Sequence, residues 1–320
     1  MSDIIGLVLP FFGLIFLGYV VARITRQPVE ALGWMNTFVI YVALPALFFQ
    51  LLSKTPIEKL TELGYIFGSV LATYLIFSAM FVWSVLTNRG EIAESTIKGL
   101  AAAYGNIGYM GPGLALLAFG EEAAVPVALI FCFENIMHFA VAPTMMALAG
   151  DEPSGARELA LSVARKIAFH PFIVATAIGV AAAALSLRPP EALNTLLDYL
   201  AHAAAPCALF AMGVTLALRP LKRMPREIGA IAVLKLLVHP LLCYLMLSLV
   251  GHFDPVWVWS AVLLASLPTA TNVFVIGQQY GVWVERASAS ILVTTVASVV
   301  TVTAALYAIK SGLLPPDLFP

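Results

Sequence analysis

The sequence has few charged residues. Asp, Glu, Lys and Arg make up 11% of its 320 residues, whereas soluble domains carry about 25%. Hydrophobic residues make up 61%, and the mean hydropathy is +0.95. Apolar segments of about 18–25 residues recur along the whole length, and each is long enough to cross a bilayer as a helix. The composition therefore excludes a pair of soluble domains and predicts an all-α integral membrane protein.

Cysteine is also scarce, with three residues in the whole chain. Cys132, Cys207 and Cys243 all fall within apolar segments and have no motif spacing, so we interpret them as small buried hydrophobic residues. We expect no metal site and no cofactor. The N-terminus lacks the positive region of a signal peptide, so the first apolar segment is expected to be retained. A net charge of −1 gives no indication of nucleic-acid binding.

Motifs of intramembrane enzymes are missing as well. The sequence contains no His-Glu-x-x-His, no Gly-x-Gly-Asp and no phosphate-binding loop. An intramembrane enzyme therefore remains only an alternative, and so does a ligand sensor, because no signalling domain is evident. A channel would need a continuous polar lining, which no apolar segment shows. These gaps favour a carrier that performs no chemistry on its cargo.

Ten transmembrane helices can be placed on the hydropathy pattern. A charged connector at 151–166 separates a first set of five helices within 1–150 from a second set of five within 167–320. Because each set has an odd number of helices, the two sets have opposite orientations in the membrane, as in inverted repeats. The predicted helices cover residues 4–22, 34–53, 64–87, 96–118, 124–148, 168–187, 194–217, 228–250, 256–279 and 287–309.

Prolines support the repeat, because they recur at one offset. Pro10 and Pro171 are 161 residues apart, and so are Pro45 and Pro206. The same offset relates the interrupted tract 105–113 in the fourth helix to the tract 266–272 in the ninth. Paired interruptions in corresponding halves are typical of the binding sites of secondary transporters.

The distribution of Lys and Arg predicts the orientation in the membrane. Connections that follow odd-numbered helices hold most of these residues, and the opposite side holds only Lys54, Lys59, Arg188 and Lys310. The positive-inside rule then places both termini on the non-cytoplasmic side of a bacterial cytoplasmic (inner) membrane. The residues on the richer side are Arg23, Arg26, Arg89, Lys98, Arg157, Arg165, Lys166, Arg219, Lys222, Arg223, Arg226 and Arg286.

The two interrupted tracts are the predicted binding site. Pro and Gly break the helices near mid-membrane, and backbone groups freed there must line protein or a watery cavity. The N-termini of the half-helices then offer free N–H groups and a positive dipole end to a carboxylate. Neither tract contains an acidic residue. The predicted substrate-binding residues are Asn106, Gly108, Tyr109, Gly111, Pro112, Pro268, Thr269, Thr271 and Asn272.

Four motifs along the chain resemble the auxin efflux carrier family: Tyr41–Leu47, Asn106–Pro112, Lys235–Pro240 and Ser266–Asn272. The family includes plant carriers and bacterial malate or malonate permeases. The resemblance implies ten helices in two inverted five-helix repeats, with broken helices 4 and 9 crossing at the substrate. It also implies elevator-like alternating access with an organic anion. The long central loop of many plant members is absent, so the chain is more similar to the bacterial permeases.

Ionisable residues within the predicted helices are candidates for proton coupling. Glu134 and His138 are four residues apart on one helix face, with Asn135 beside them. Lys235 lies seven residues into the eighth helix. The structural alternatives are a hydrogen-bonded pair at Glu134 and His138, and a Lys235 side chain that snorkels to the membrane edge.

These observations favour a secondary transporter of small organic anions, such as malate or malonate. A sodium/proton antiporter is a second transporter hypothesis, which the missing acidic residues at the breaks disfavour. The expected partners are the anion, the lipid bilayer and a coupling proton or sodium ion. Assembly as a homodimer is left open.

Overall fold

The computed structural model describes residues 2–56, 58, 61–87, 90–150, 155–218, 224 and 226–319. Lys59, Arg89, Arg219, Lys222 and Arg223 of the orientation argument, and 151–154 of the predicted connector, lie outside these ranges. The named elements of the described part are helical: α1 (Ser2–Thr25), α2 (Gly33–Phe38), α3 (Leu44–Ser53), α4 (Leu63–Thr87), α5 (Ile92–Ala103), α6 (Gly111–Phe119), α7 (Ala124–Leu148), α8 (Ala156–Ala168), α9 (Pro171–Ala184), α10 (Glu191–Leu218), α11 (Ile228–Val233), α12 (His239–Val250), α13 (Pro255–Ser266), α14 (Thr271–Tyr280) and α15 (Val284–Lys310).

Seven helical segments of the described chain are long and apolar enough to cross a membrane. Two of them contain a π-helical turn, Val39–Ala43 between α2 and α3 and Leu234–Val238 between α11 and α12. The protein is therefore a multi-pass, all-helical membrane protein. The seven segments are Val8–Thr25, Gly33–Ser53, Leu63–Thr87, Glu121–Leu148, Glu191–Leu218, Ile228–Val250 and Val284–Lys310.

The other three predicted membrane helices are shorter in the structure. The sixth corresponds to α9, and the charged connector before it contains the helix α8. The fourth is divided into α5 and α6, and the ninth into α13 and α14. Both predicted interruptions are thus present, whereas the count of ten membrane helices and the inverted symmetry remain predictions.

The chain folds into two compact units that alternate along the sequence. Unit 1 comprises Met1–Leu63, Gly108–Cys132 and Ala168–Arg219, and unit 2 comprises Gly64–Ile107, Phe133–Ile167 and Pro220–Pro320. These units draw on both halves of the chain. The predicted division into residues 1–150 and 167–320 concerns sequence symmetry, and it stays a prediction.

Unit 1 is built on the packing of α1 against α10 and of α3 against α9. A Cβ atom at Gly18 would lie 2.2 Å from the carbonyl oxygen of Phe210, and one at Gly213 would lie 1.9 Å from that of Ile15. Only glycine therefore permits this approach of the two backbones, as is common between membrane helices.

Unit 2 has a continuous apolar core around α5. Residues 100–104 at the end of α5 are buried against α4, the second half of α7, and α14. The same core includes Ile231 of α11 and Ala287 of α15. Since α5 is surrounded by packed apolar side chains, the break that follows it at Tyr104 is held in a rigid setting.

The local sequence explains where the second break lies. Leu267 has an extended backbone, with φ −65° and ψ 150°, because a residue before proline is driven out of the helical region. Pro268 also lacks the N–H that would continue the helix. Pro112, in contrast, does not interrupt a helix. It lies in the first turn of α6, where its missing N–H costs nothing, and the first break lies upstream, between Ala103 and Gly111.

Candidate functional site

The two breaks are joined to each other within unit 2. Gly105 and Thr269 form an antiparallel bridge. The backbone N–H of Asn106 donates to the carbonyl oxygen of Pro268 over 2.8 Å, and that of Ala270 donates to Tyr104 over 2.9 Å. Backbone groups left without helical partners are thereby satisfied away from lipid, as a membrane segment requires. The pairing fixes the ends of α5 and α13 and the start of α14 at one place.

Thr269 acts as a brace of this joint. Its hydroxyl donates to the carbonyl oxygen of Ala101 over 2.7 Å, and its N–H donates to the hydroxyl of Thr294 over 3.2 Å. Thr269 is fully buried. Its donors are used inside unit 2, which favours a structural role over the predicted contact with substrate.

The N-terminus of α14 has no side-chain cap. Thr271 and Asn272 form its first turn, and the buried hydroxyl oxygen of Thr271 has no hydrogen-bond partner among the described residues. The Nδ2 atom of Asn272 donates to the Tyr104 hydroxyl over 2.7 Å, and that hydroxyl donates to Oδ1 of Asn135. One N–H of the Asn272 amide remains to bind a ligand. This uncapped turn can therefore receive an anion.

The remaining predicted binding residues fall into two groups. Asn106 is buried in unit 2 and Pro268 forms the joint with it. Gly108, Tyr109, Gly111 and Pro112 belong to unit 1. The role of these four residues in binding stays a prediction from the sequence.

A chain of buried polar side chains starts at Lys235, in the π-helical turn, and ends at Glu134 on α7. The Lys235 ammonium lies 2.6 Å from the carbonyl oxygen of Ala265 and 2.9 Å from Nδ1 of His239. Nε2 of His239 lies 3.0 Å from the Thr73 hydroxyl, which donates to Oε1 of Glu134 over 2.7 Å. The side chain of Lys235 is completely buried, so the interpretation that it snorkels to the membrane edge is wrong.

His138 belongs to a different group of side chains from Glu134. Its Nδ1 atom lies 2.9 Å from the Tyr74 hydroxyl. Its ring stacks on that of Tyr104, with the ring centroids 3.8 Å apart. The Nε2 atom is buried and has no hydrogen-bond partner in the described chain. Among the described residues, no hydrogen bond joins His138 to Glu134, although the two share a helix face.

Sequence reasoning missed three residues of these clusters: Thr73, Tyr74 and Tyr104. Thr73 and Tyr74 lie in a uniformly apolar segment and give no signal of their own. Tyr104 directly precedes the first interrupted tract, and extending the tract by one residue would have found it. His239 follows Lys235 at the same four-residue spacing as His138 follows Glu134, and that spacing does correspond to a contact.

Comparison with known proteins identifies the family. Residues 3–306 match the family described as "Membrane transport protein". This chain belongs to that family. The match confirms the expectation drawn from the four motifs along the chain, that of an auxin efflux carrier family member. It also indicates a transport function rather than catalysis.

The relatives of this transporter are similar over nearly the whole chain. A protein of Rhizobium meliloti (strain 1021) named "Putative malonate transporter" is 66% identical over 320 residues, which cover 100% of both chains. An uncharacterized transporter of Methanothermobacter thermautotrophicus is 26% identical over 92% of this chain and 94% of its own. The uncharacterized transporter YfdV of Escherichia coli (strain K12) is 24% identical over 93% and 95%, respectively.

Proposed function

We propose that this transporter carries a small organic anion, a dicarboxylate such as malonate or malate, and that it does so as a secondary active carrier. The observation that carries the proposal is the uncapped N-terminus of α14, held at the joined breaks of two membrane segments. The name of the relative that is 66% identical supports malonate as the first substrate to test.

The anion is held mainly by hydrogen bonds from the first turn of α14. A helix dipole contributes only about 0.3–1 kcal/mol to binding a negative charge, whereas a hydrogen bond to a charged group contributes roughly 1.5–3 kcal/mol. The backbone N–H groups of Thr271 and Asn272, the Asn272 amide and the Thr271 hydroxyl supply such donors, whereas the N–H of Val273 donates to the carbonyl oxygen of Ala270. Tyr104 orients the amide. Binding strength therefore depends on these donors more than on the dipole.

The transport cycle is proposed to be elevator-like alternating access. Unit 2 holds the paired residues that join the two breaks and the polar clusters described above, and it has its own apolar core, as a body that moves with its cargo requires. In this proposal the ten helices form two inverted repeats, with helices 4 and 9 crossing at the anion. The protein is proposed to lie in the inner membrane, with both termini on the non-cytoplasmic side.

The test is transport by the purified full-length protein in proteoliposomes. Labelled malonate, malate, lactate and indole acetate are offered separately, first with the same unlabelled compound inside and then with imposed pH, sodium or voltage gradients. We expect exchange of the dicarboxylates, and weaker exchange by Asn272→Ala and Asn106→Ala. Absence of exchange for every compound with folded protein would contradict the proposed function. Unchanged apparent affinity in both variants would contradict the site.

A further inference from the structure

The hydrogen bonds of the buried chain from Lys235 to Glu134 are all satisfied by an arrangement that starts from a charged Lys235 and a charged Glu134. The Thr73 hydroxyl has a single hydrogen, and its Oγ1 atom lies closer to Oε1 of Glu134, at 2.7 Å, than to the carbonyl oxygen of Ser69, at 3.2 Å. Because that hydrogen is donated to the Glu134 carboxylate, the Thr73 Oγ1 atom can accept a hydrogen bond from Nε2 of His239. The other ring nitrogen, Nδ1, then accepts from the Lys235 ammonium.

The reverse arrangement satisfies the same hydrogen bonds. If each proton moves along its own bond, Glu134 becomes the donor to Thr73, Thr73 donates to Nε2 of His239, and Nδ1 of His239 donates to a neutral Lys235. No side chain has to change its position. The four groups thus have two fully hydrogen-bonded arrangements, one with a charged pair and one with a neutral pair, and fully bonded polar networks of this kind are rigid inside a protein.

We propose that Thr73 and His239 form a proton wire between Lys235 and Glu134, and that the wire couples transport to one proton. This inference rests on the proposed function. In the transfer, an N–H bond of Lys235 breaks and Nδ1 of His239 gains the proton. Nε2 of His239 loses its proton to Thr73 Oγ1, and Thr73 loses its own to Glu134. One positive and one negative charge disappear together, so the step is balanced.

Lys235 is the end of the wire where protons enter and leave. Its nitrogen uses two of three hydrogens on His239 and on Ala265 at the end of α13. It also lies beside Gly105 at the first break, since a Cβ atom there would be 3.2 Å away. A neutral Lys235 can therefore take a proton from the joint where the anion is proposed to bind, and its lone pair then no longer accepts from Nδ1 of His239. Glu134 is then neutral and Lys235 is charged, a net gain of one positive charge that balances one carboxylate.

The other titratable groups around the wire do not bridge it. Tyr65 and Tyr74 on α4 interact electrostatically with Glu134, Cys243 on α12 with Glu134 and Lys235, and His138 on α7 with Lys235 and His239. The hydroxyl of Tyr65 donates to the carbonyl oxygen of Trp257, and Tyr74 is bonded to His138. Cys243 has no hydrogen bond to any of the four wire residues. The route through Thr73 is the continuous one among the described residues.

The decisive variant is Thr73→Val, with Thr73→Ser as its matched control. Valine keeps the shape of threonine but lacks the hydroxyl, whereas serine restores the hydroxyl. In proteoliposomes we expect Thr73→Val to exchange malonate like the wild type but to lose accumulation driven by a pH gradient, and Thr73→Ser to retain both. His239→Gln is the second variant, because an amide keeps a donor and an acceptor yet cannot pass a proton on. It should show the same loss.

Accumulation driven by a pH gradient at the wild-type level in Thr73→Val or His239→Gln would overturn the wire. Loss of accumulation in Thr73→Ser as well would overturn it too. A readout independent of transport separates this result from failure of the proposed function. Infrared difference spectra after a pH jump should show a protonated carboxyl band that is absent in Glu134→Gln and that appears more slowly in Thr73→Val. If the band appears in Thr73→Val at the wild-type rate, the wire is rejected whether or not malonate is the substrate.

Discussion

Lys235 occupies the space beside the backbone of Gly105. A Cβ atom at Gly105 would lie 3.2 Å from Nζ of Lys235 and 3.3 Å from the carbonyl oxygen of Leu264. The ammonium group is itself anchored by Ala265 and His239, so it cannot withdraw without losing a bond. The first break and the buried cation therefore depend on each other sterically.

Gly105→Ala is expected to impair transport more than expression. Forcing a methyl group into a packed site costs about 1–3 kcal/mol, and about 1.4 kcal/mol corresponds to a tenfold change in an equilibrium constant. Initial uptake rates should fall by roughly that factor. Gly229→Ala in α11 is the control, because nothing lies within 4 Å of its Cβ position. Equal uptake rates in the two variants would show that the joint tolerates the added methyl group.

Tyr104→Phe should weaken anion binding without disturbing the core. The change removes the hydroxyl that joins Asn272 to Asn135, and an unpaired buried polar group costs about 1–3 kcal/mol. We expect a higher apparent Km for malonate, since the Asn272 amide loses its orientation. Tyr307→Phe, at an exposed position, is the matched control. An unchanged Km would remove the Tyr104 hydroxyl from the site.

Lys98→Met should destabilise unit 2. The Lys98 ammonium is buried and lies 2.7 Å from a carboxylate oxygen of Glu94 and 2.7 Å from one of Glu227. Loss of a buried partner costs roughly 3–5 kcal/mol, and the partial exposure of the two carboxylates reduces this to about 2–3 kcal/mol. Thermal unfolding in detergent measures the change. Lys310→Met, at an exposed position, should unfold like the wild type, and an equal effect of both variants would contradict the assignment.

The C-terminal segment should detach from α12 at low pH. The backbone N–H of Phe319 donates to Asp317 and, with His252, lowers the pKa of Asp317 below its usual value. A carboxylate with a lowered pKa stabilises its contacts above the usual pKa and loses that contribution as the pH falls through the lowered one. Tyr244 also binds this segment, at the carbonyl oxygen of Pro315.

Hydrogen exchange of the backbone amides of residues 317–319 measures this detachment as a function of pH. We expect protection at neutral pH and its loss in acid, whereas Asp317→Asn should exchange fast at every pH. Protection that does not change between neutral and acidic pH in the wild type would exclude the carboxylate as the cause.

Much of the fold could be predicted because its signals are local. Pro268 and the glycines of residues 105–113 weaken helices wherever they stand, so the breaks at α5 and α13 were found. The hydropathy pattern likewise placed the seven long membrane segments. These features depend on a few neighbouring residues and need no knowledge of packing.

The contacts of the polar side chains could not be predicted in the same way. Glu134 and His138 share a helix face, yet they contact consecutive residues of α4, Thr73 and Tyr74. A one-residue difference in register along α4 decides which group each one meets. The position of Lys235, seven residues into its helix, does not show whether the ammonium reaches the membrane edge or is held inside by the carbonyl oxygen of Ala265.

The π-helical turn at Leu234–Val238 adds one residue to the membrane segment that carries Lys235. Each residue of an α-helix advances it by about 100°, so the added residue rotates α12 relative to α11 by that amount. The two parts consequently present different faces to their neighbours. The helix α11 packs against α5 and α15, whereas α12 packs against α13. Deleting Leu237 would restore a regular α-helix, and the two parts could then no longer keep both sets of neighbours. The surplus residue is thus what lets a single membrane segment serve two packing environments.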